Sequence, residues 1–313
     1  MGMLHGDHDE QLSALHTDLI DAGLISPVAP RDLASWARHD LASMVEGCFA
    51  VSLDPRDMTD TAQAGWLARV RNAYRRPVAC EDILGRRYWL TVEGRRVGTL
   101  QLPLERLGRI RLPIRSLYVL PDARQQSVAS HALDALYNAA HTHGLAGIHI
   151  ETYWVWQKAV RFYLNRGLWV VSWKHSLGFA RDPRLPAYRM EIDETAARIA
   201  VLQPTGWRTL HTARRSGDRL VLDDSPWVAE LERTHEHWDL LIFGWATFAL
   251  WLAVHGWPLI RSEEAWAERY RSSDIGQPEG LAYKIKLFEA DARDHGWLVE
   301  TPDIPGLPFD DDD

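Results

Sequence analysis

Cysteine is scarce: Cys48 and Cys80 are the only two in 313 residues, too few for a disulfide framework or a four-thiolate zinc site. A reducing compartment is therefore expected. The first ten residues, MGMLHGDHDE, hold neither the basic region nor the apolar run of a secretory signal, so the expected location is cytoplasmic. Long apolar runs are also missing. The longest, residues 240–254, has 15 residues without a charge, flanked by Trp238 and Trp257. It falls short of the roughly 20 residues that cross a bilayer, so a buried helix or a dimer surface is expected and a membrane partner is not. The remainder, 46% hydrophobic and 25% charged, excludes wholesale disorder and fibrous folds, and the length suits two domains or one with additions.

Lysine is rare as well, since 31 of the 35 cationic side chains are arginines. Arginine matches phosphate geometry better than lysine does, although arginine-rich codon usage accounts for much of such an excess. The net charge of -8 is unevenly spread. Residues 1–46 carry 2 basic and 8 acidic side chains, residues 47–197 carry 21 and 14, and residues 198–313 carry 12 and 21. A basic centre suits an anionic ligand, and acidic flanks suit a cationic acceptor and oppose nucleic acid.

The hydrophobic period divides the chain in three. Residues 9–22 place Leu12, Leu15, Leu19 and Ile20 on one helical face that Gly23 stops, and a second helix is expected over 30–46, closed by Gly47. Residues 1–46 thus read as a helical N-terminal extension. A short strand is expected at 48–53 and a helix around 62–74. Strands follow at 88–92, 97–104 and 110–120, with a turn at Glu93-Gly94 and another near Gly108, an antiparallel meander. Helix 125–143, strand 147–154, helix 157–166 and strands at 168–173 and 188–192 complete a mixed α/β domain over residues 47–192. Residues 193–313 read as a mostly helical C-terminal domain, with a hairpin over 207–222 turning at Ser216-Gly217, helices after Ser225-Pro226, Ser262 and Pro278, and an acidic tail.

The stretch that carries chemistry is SLYVLPDARQQSVA, residues 116–129. A strand ends at Leu120, Pro121 breaks it, and a helix begins within a few residues. A row of unpaired N–H groups at a helix start is an anion site, to which Arg124 adds a charge-assisted donor. The segment resembles the pyrophosphate loop of the GNAT superfamily of acyl-CoA-dependent N-acyltransferases, which reads Arg/Gln, two variable residues, Gly, one variable residue, Gly/Ala. Arg124, Gln125, Gln126, Ser127, Val128 and Ala129 fall into that register, with Ser127 where glycine usually stands. A second stretch, residues 156–168, is similar to the family's Asn-x-x-Ala-x-x-Phe/Leu-Tyr-x-x-x-Gly-Phe segment. Ala159, Phe162, Tyr163 and Gly167 match, and Trp156 replaces the asparagine.

The resemblance implies a GNAT fold over residues 47–192 and an N-acetyltransferase that moves an acyl group from acetyl-CoA, or a related acyl-CoA, to a primary amine in a ternary complex. It implies no metal. Backbone groups of Leu117, Tyr118 and Val119 would hold the pantetheine arm, residues 124–129 the pyrophosphate, and Tyr163 would protonate the leaving thiolate. Strand alternation sets His149, Glu151 and Tyr153 on one face of 147–153, so Glu151 is the candidate base and His149 its rival. Tyr118 is also a candidate for lining the acceptor site. Cys48 and Cys80 lie outside both motifs, so no acyl-cysteine intermediate is expected.

Other candidates rank below these. His5, Asp7, His8 and Asp9 read as a mobile tail, and the histidine pairs His235/His237 and His141/His143 diverge on a helix rather than meeting at one ion. Trp154, Trp156, Trp169 and Trp173 read as packing around the second motif before a substrate wall. Arg109, Arg111 and Arg115 share a strand face and are expected to meet the acidic flanks rather than CoA phosphates. Two other functional readings remain open: a non-catalytic GNAT scaffold for protein association, supported by Ser127 and Trp156, and an acyltransferase acting on aminoacyl-tRNA, which the overall charge opposes. The expected partner is an amine, as a small molecule, peptide or protein, and a homodimer is a fair expectation.

Overall fold

The computed structural model describes residues 6–49, 86–103, 110–216, 219–234, 238–257 and 280–298. The helix expected at 62–74, Cys80, Arg109, His5, the His235–His237 pair, the helices after Ser262 and Pro278 as far as residue 279, and the acidic tail lie outside the described residues. The chain forms two compact units, one of residues 1–156 with 178–184, the other of 157–177 with 185–313.

In the first unit α1 (Gly6–Asp21) buries Leu12, Leu15 and Leu19 together with His16. Gly23 ends it at φ 70, with its N–H on Ile20 O and that of Leu24 on Leu19 O, the pairing that needs a left-handed residue just past the helix. A short strand, β1 (Ile25–Pro27), precedes a 3-10 turn at Pro30–Asp32 and α2 (Leu33–Phe49). The strand expected at 48–53 is thus replaced at Cys48 and Phe49 by the end of α2. Gly47 does not close that helix either. A Cβ on it would collide with the ring of Tyr153, so the glycine serves close packing instead.

The meander is present as β2 (Arg86–Val92), β3 (Arg95–Leu102), β4 (Arg111–Ile114) and β5 (Ser116–Val119). β1, from the expected N-terminal extension, is the antiparallel edge strand beside β2, with Ile25 opposite Leu90. The first sheet runs β1-β2-β3-β5. The segment expected as one strand, 110–120, divides at Arg115. β4 pairs in parallel with β6 (Gly147–Thr152), while β5 pairs antiparallel with β3. Between β5 and β6 comes α3 (Val128–Thr142), with Val128, Ala132, Leu133, Leu136 and Ala140 buried, and after β6, in the second unit, come α4 (Gln157–Asn165) and β7 (Trp169–Ser172). β8 (Leu177–Arg181), which the sequence reading lacks, lies beside β6 and needs Gly147. A Cβ there would run into Arg181 O.

The second unit corrects the expectation of a mostly helical C-terminal domain: it contains a four-stranded antiparallel sheet as well as helices. β9 (Tyr188–Ile192), β10 (Ala196–Gln203), β11 (Gly206–Ser216) and β12 (Arg219–Asp224) stand in the order β12-β11-β10-β9. The expected hairpin is β11–β12, whose last pair is Ser216 with Arg219. The missed strand is β10. Ala197, Ile199 and Val201 alternate inward, but a register shift between Ile199 and Ala200 buries Ala200 too and blurs the period of two. After α5 (Pro226–Thr234) comes α6 (Trp238–Val254), which contains the uncharged run and buries it on all sides within this unit from Leu240 onward. Its polar groups are used internally: Thr247 Oγ1 accepts from the Val170 N–H at 3.0 Å, and Trp245 Nε1 donates to Glu289 of α7 (Leu281–Asp294) at 2.9 Å. Trp169 Nε1 donates to Pro186 O, and Trp173 stands edge-on to Phe288, so these two tryptophans are packing residues. No described helix is long and apolar enough to cross a membrane.

Gly144 tests the helix-stop argument cleanly. Its φ of 72 is left-handed and a Cβ would meet nothing within 4 Å. Gly144→Ala should therefore cost about 1 kcal/mol through the backbone alone, read from urea unfolding. No change would sink the argument. The α2 carboxyl of Asp40 gives a second test, because burial lifts it to about 6 against a weaker opposing pull from Arg87. A carboxyl raised in the folded state favours folding fully below pH 3.8 and loses that advantage as pH rises through 6. Asp40→Asn should raise stability at pH 8 by up to about 3 kcal/mol and by nothing at pH 3.5. Equal gains at both pH values would exclude ionisation as the cause.

Candidate functional site

The site grows from one change of partner. β4 and β6 run paired from Arg111–Gly147 to Ile114–Ile150. At Arg115 the chain leaves that ladder and continues as β5 in the other sheet, opposite β3. Two parallel strands therefore part at their C-terminal ends, and the interval between β5 and β6 is a cleft lined by strand edge. Backbone alternation decides which groups face it. The Leu120 N–H donates to Val97 O, so the pairing of Tyr118 with Thr99 is of the bonded kind and its peptide groups point toward β3. Leu117 and Val119 then point their N–H and C=O out of the opposite edge, toward the cleft.

Past β5 the chain makes a 3-10 turn, Pro121–Ala123, before α3 begins. Gln125 and Ser127 both take left-handed conformations, at φ 62 and 59, with Gln126 between them. Alternating handedness turns successive N–H groups to one side, next to the unbonded first turn of α3, an arrangement that can receive an anion. Gln126 Nε2 ties the loop down on Asp122 O at 2.8 Å. The serine where the family places glycine stands at the left-handed N-cap of α3, with no side-chain cap bond. The position asks for glycine's backbone freedom, and Ser127 meets the demand at a cost of about 1 kcal/mol.

Arg124 is placed differently from the sequence expectation of a phosphate donor at the loop mouth. Its Nε donates to Val119 O at 2.9 Å, and one terminal nitrogen donates to both carboxylate oxygens of Glu46 on α2, at 2.9 and 2.8 Å. Glu46 also accepts from Tyr118 Oη at 3.2 Å. The carboxylate is buried, its side chain 3% exposed against 32% for Arg124. Removing one member of a buried pair strands the other, at about 3–5 kcal/mol, and the partial exposure of Arg124 favours the lower figure. Tyr118, 1% exposed, is thus tied to Glu46, its ring beneath the guanidinium. Sequence reasoning missed Glu46 because its signal, one acid near the end of an amphipathic helix, is identical to that of a solvated side chain.

The remaining candidates fall on β6 and α4. Burial along β6 alternates as expected, with Ile148, Ile150 and Thr152 inside, Glu151 exposed and His149 half-buried. Glu151 stands where β6 has parted from β5. Tyr163 is buried on α4, edge-on to Phe162, and burial pushes its hydroxyl well above the usual tyrosine range. It belongs to the second unit, so the geometry of the first does not include it. Arg111 corrects the expectation of a contact with the acidic flanks. It donates to Asp182 at 2.7 Å, inside its own unit. Burial alone would raise the Asp182 carboxyl, but hydrogen bonds from Arg184 and Arg111 outweigh it and bring it down to about 2. Among the described residues no group of three or more His, Cys, Asp or Glu side chains could hold a metal ion.

Replacing Ser127 with glycine should stabilise the protein by up to about 1 kcal/mol, since it relieves a left-handed side chain and loses no cap bond. Thermal melts check this. A lower melting temperature would show that the serine hydroxyl holds the loop.

Residues 48–168 match the Acetyltransferase (GNAT) family. No curated protein matches. Among solved structures, the chain is similar to PaiA N-acetyltransferase from Thermoplasma acidophilum in complex with coenzyme A, at 11% identity, with 50% of this chain and 97% of that one covered and a TM-score of 0.38. It is also similar to ribosomal-protein-alanine N-acetyltransferase from Brucella melitensis, at 16% identity, with 51% and 99% covered and a TM-score of 0.31. A third is an acetyltransferase of the GNAT family from Staphylococcus aureus Mu50, at 15% identity, with 50% and 97% covered and a TM-score of 0.33. The match to the family spans residues 48–168, about two fifths of the chain, with further regions on both sides.

Proposed function

We propose that the protein transfers the acetyl group of acetyl-CoA, or a related acyl group, directly to a primary amine in a ternary complex. The observation that carries this reading is the junction of β5 with α3. A strand edge opens onto a cleft and runs straight into a cradle of backbone N–H groups, a length of peptide donors suited to pantetheine at one end and pyrophosphate at the other.

Within that arrangement Leu117 and Val119 offer the edge groups that hold the pantetheine amides and polarise the thioester carbonyl. Residues 124–129 supply the pyrophosphate cradle through their backbone. The amine nitrogen attacks the carbonyl carbon, the C–S bond breaks, and the departing thiolate takes a proton, the part that the second sequence motif assigns to the Tyr163 hydroxyl, which solvent then reprotonates. A tyrosine holds its proton at neutral pH even before burial raises its pKa, so Tyr163 starts in the protonated state that a donor needs. Glu151, exposed on β6, first takes a proton from the substrate ammonium, directly or through water, to free the amine that attacks, and the second nitrogen proton passes to solvent as the amide forms. The acidic flanks favour a cationic acceptor, such as an amine metabolite, a peptide N-terminus or a lysine.

Titration calorimetry with acetyl-CoA, followed by thiol release over a panel of amines, tests the reading. Micromolar binding and amine-dependent release are expected, and neither heat nor thermal stabilisation at saturating ligand would reject it. Tyr163→Phe should lower kcat by about 10²-fold with little change in acetyl-CoA affinity. An unchanged kcat would remove Tyr163 from the mechanism.

A further inference from the structure

The buried carboxylate of Glu46 touches both the strand and the loop assigned above to acyl-CoA, and it stands on α2, outside both sequence motifs. It receives Tyr118 Oη from β5 and the forked terminal nitrogen of Arg124 from the loop. Arg124 at the same time holds Val119 O, the carbonyl that ends β5 and points into the cleft. Strand end, loop and helix are thus fastened by one carboxylate and one guanidinium, immediately before the two left-handed residues that shape the anion cradle.

Resting on the acyl-CoA reading, we propose that Glu46 is a positioning residue for acyl-CoA: through Arg124 and Tyr118 it fixes the end of β5 and the following loop, so that Arg124 acts as a strut within the protein and the backbone N–H groups hold the pyrophosphate. The geometry of the guanidinium carries this. Its two bonded edges face protein groups on different elements, and a lysine, with one ammonium and no fork, has no means of spanning Val119 O and Glu46 together. A phosphate ligand needs only charge at the loop mouth; a strut needs the fork and its carboxylate partner.

The test compares Glu46→Gln, Arg124→Lys, Arg124→Gln, the double variant Glu46→Gln/Arg124→Lys and Tyr118→Phe, reading CoA affinity by calorimetry beside the melting temperature. Glu46→Gln, which touches no ligand, should weaken CoA roughly ten-fold, and Arg124→Lys should match it although the charge is kept. The double variant should be no worse than either single one, because the two side chains act as a unit. Tyr118→Phe removes one donor to Glu46 and should weaken CoA about two- to three-fold, a fallback if the other variants do not fold. Three results would overturn the proposal: Glu46→Gln binding CoA as tightly as or more tightly than the wild type, Arg124→Lys keeping affinity that Arg124→Gln loses, or melting temperature falling with affinity unmoved. A wild-type protein that binds no CoA would instead reject the acyl-CoA reading itself.

Discussion

Residues 111–119 serve two sheets, and the geometry of the candidate site in the first unit follows from that division. A continuous strand would have closed β5 against β6 and satisfied every edge group in a ladder. Because the chain changes partner at Arg115, the parallel pairing of β4 with β6 stops at Ile114 and Ile150, and the peptide groups of Leu117 and Val119 are turned into a cleft. The division needs support on the β3 side, and Gly98 provides it. A Cβ there would collide with Tyr118 O, so only glycine permits β5 to lie so close to β3 at that point.

An opened strand edge is useful only if it is held open, and the holding falls to polar groups rather than to apolar packing. Glu46, Arg124 and Tyr118 link α2, β5 and the loop through bonds of 2.8 to 3.2 Å around a buried carboxylate. Such a group is costly unless paired and then permits few alternative geometries. The same solution appears at the other end of the ladder. Asp182, with Arg111 and Arg184 around it, anchors the start of β4 beside the segment after β8. Arginines that read as a possible ligand-binding surplus are, at Arg111 and Arg124, bound to acids of their own unit.

Much of the candidate site was legible because its signals are local. Pro121 after an apolar strand, a short polar loop and the onset of a 3.6-residue period identified the β5–α3 junction, and alternation along β6 separated Glu151 and His149 from the residues inside. The glycine stops at Gly23 and Gly144 were legible for the same reason, since a left-handed helix end has few candidates. β10 was not, because its bulge breaks the alternation that a strand shows in sequence. Nor were the split at Arg115 and the role of β1, the first of which depends on β6, 36 positions from β4, and the second on β2, 61 to 65 positions away.

The amino-acid sequence by itself determined the order of most elements, the mixed α/β character of the central region and the strand-to-helix junction at residues 116–129. These rest on the chemistry of neighbours: period, caps, turns and unpaired N–H groups. The tertiary structure alone decided that β4 and β5 belong to different sheets, that residues 196–203 complete a sheet, and that Arg124 turns to Glu46, 78 positions away. Such choices compare burial and pairing energies between distant segments. A charged side chain carries no local mark of which opposite charge the fold will bring to it.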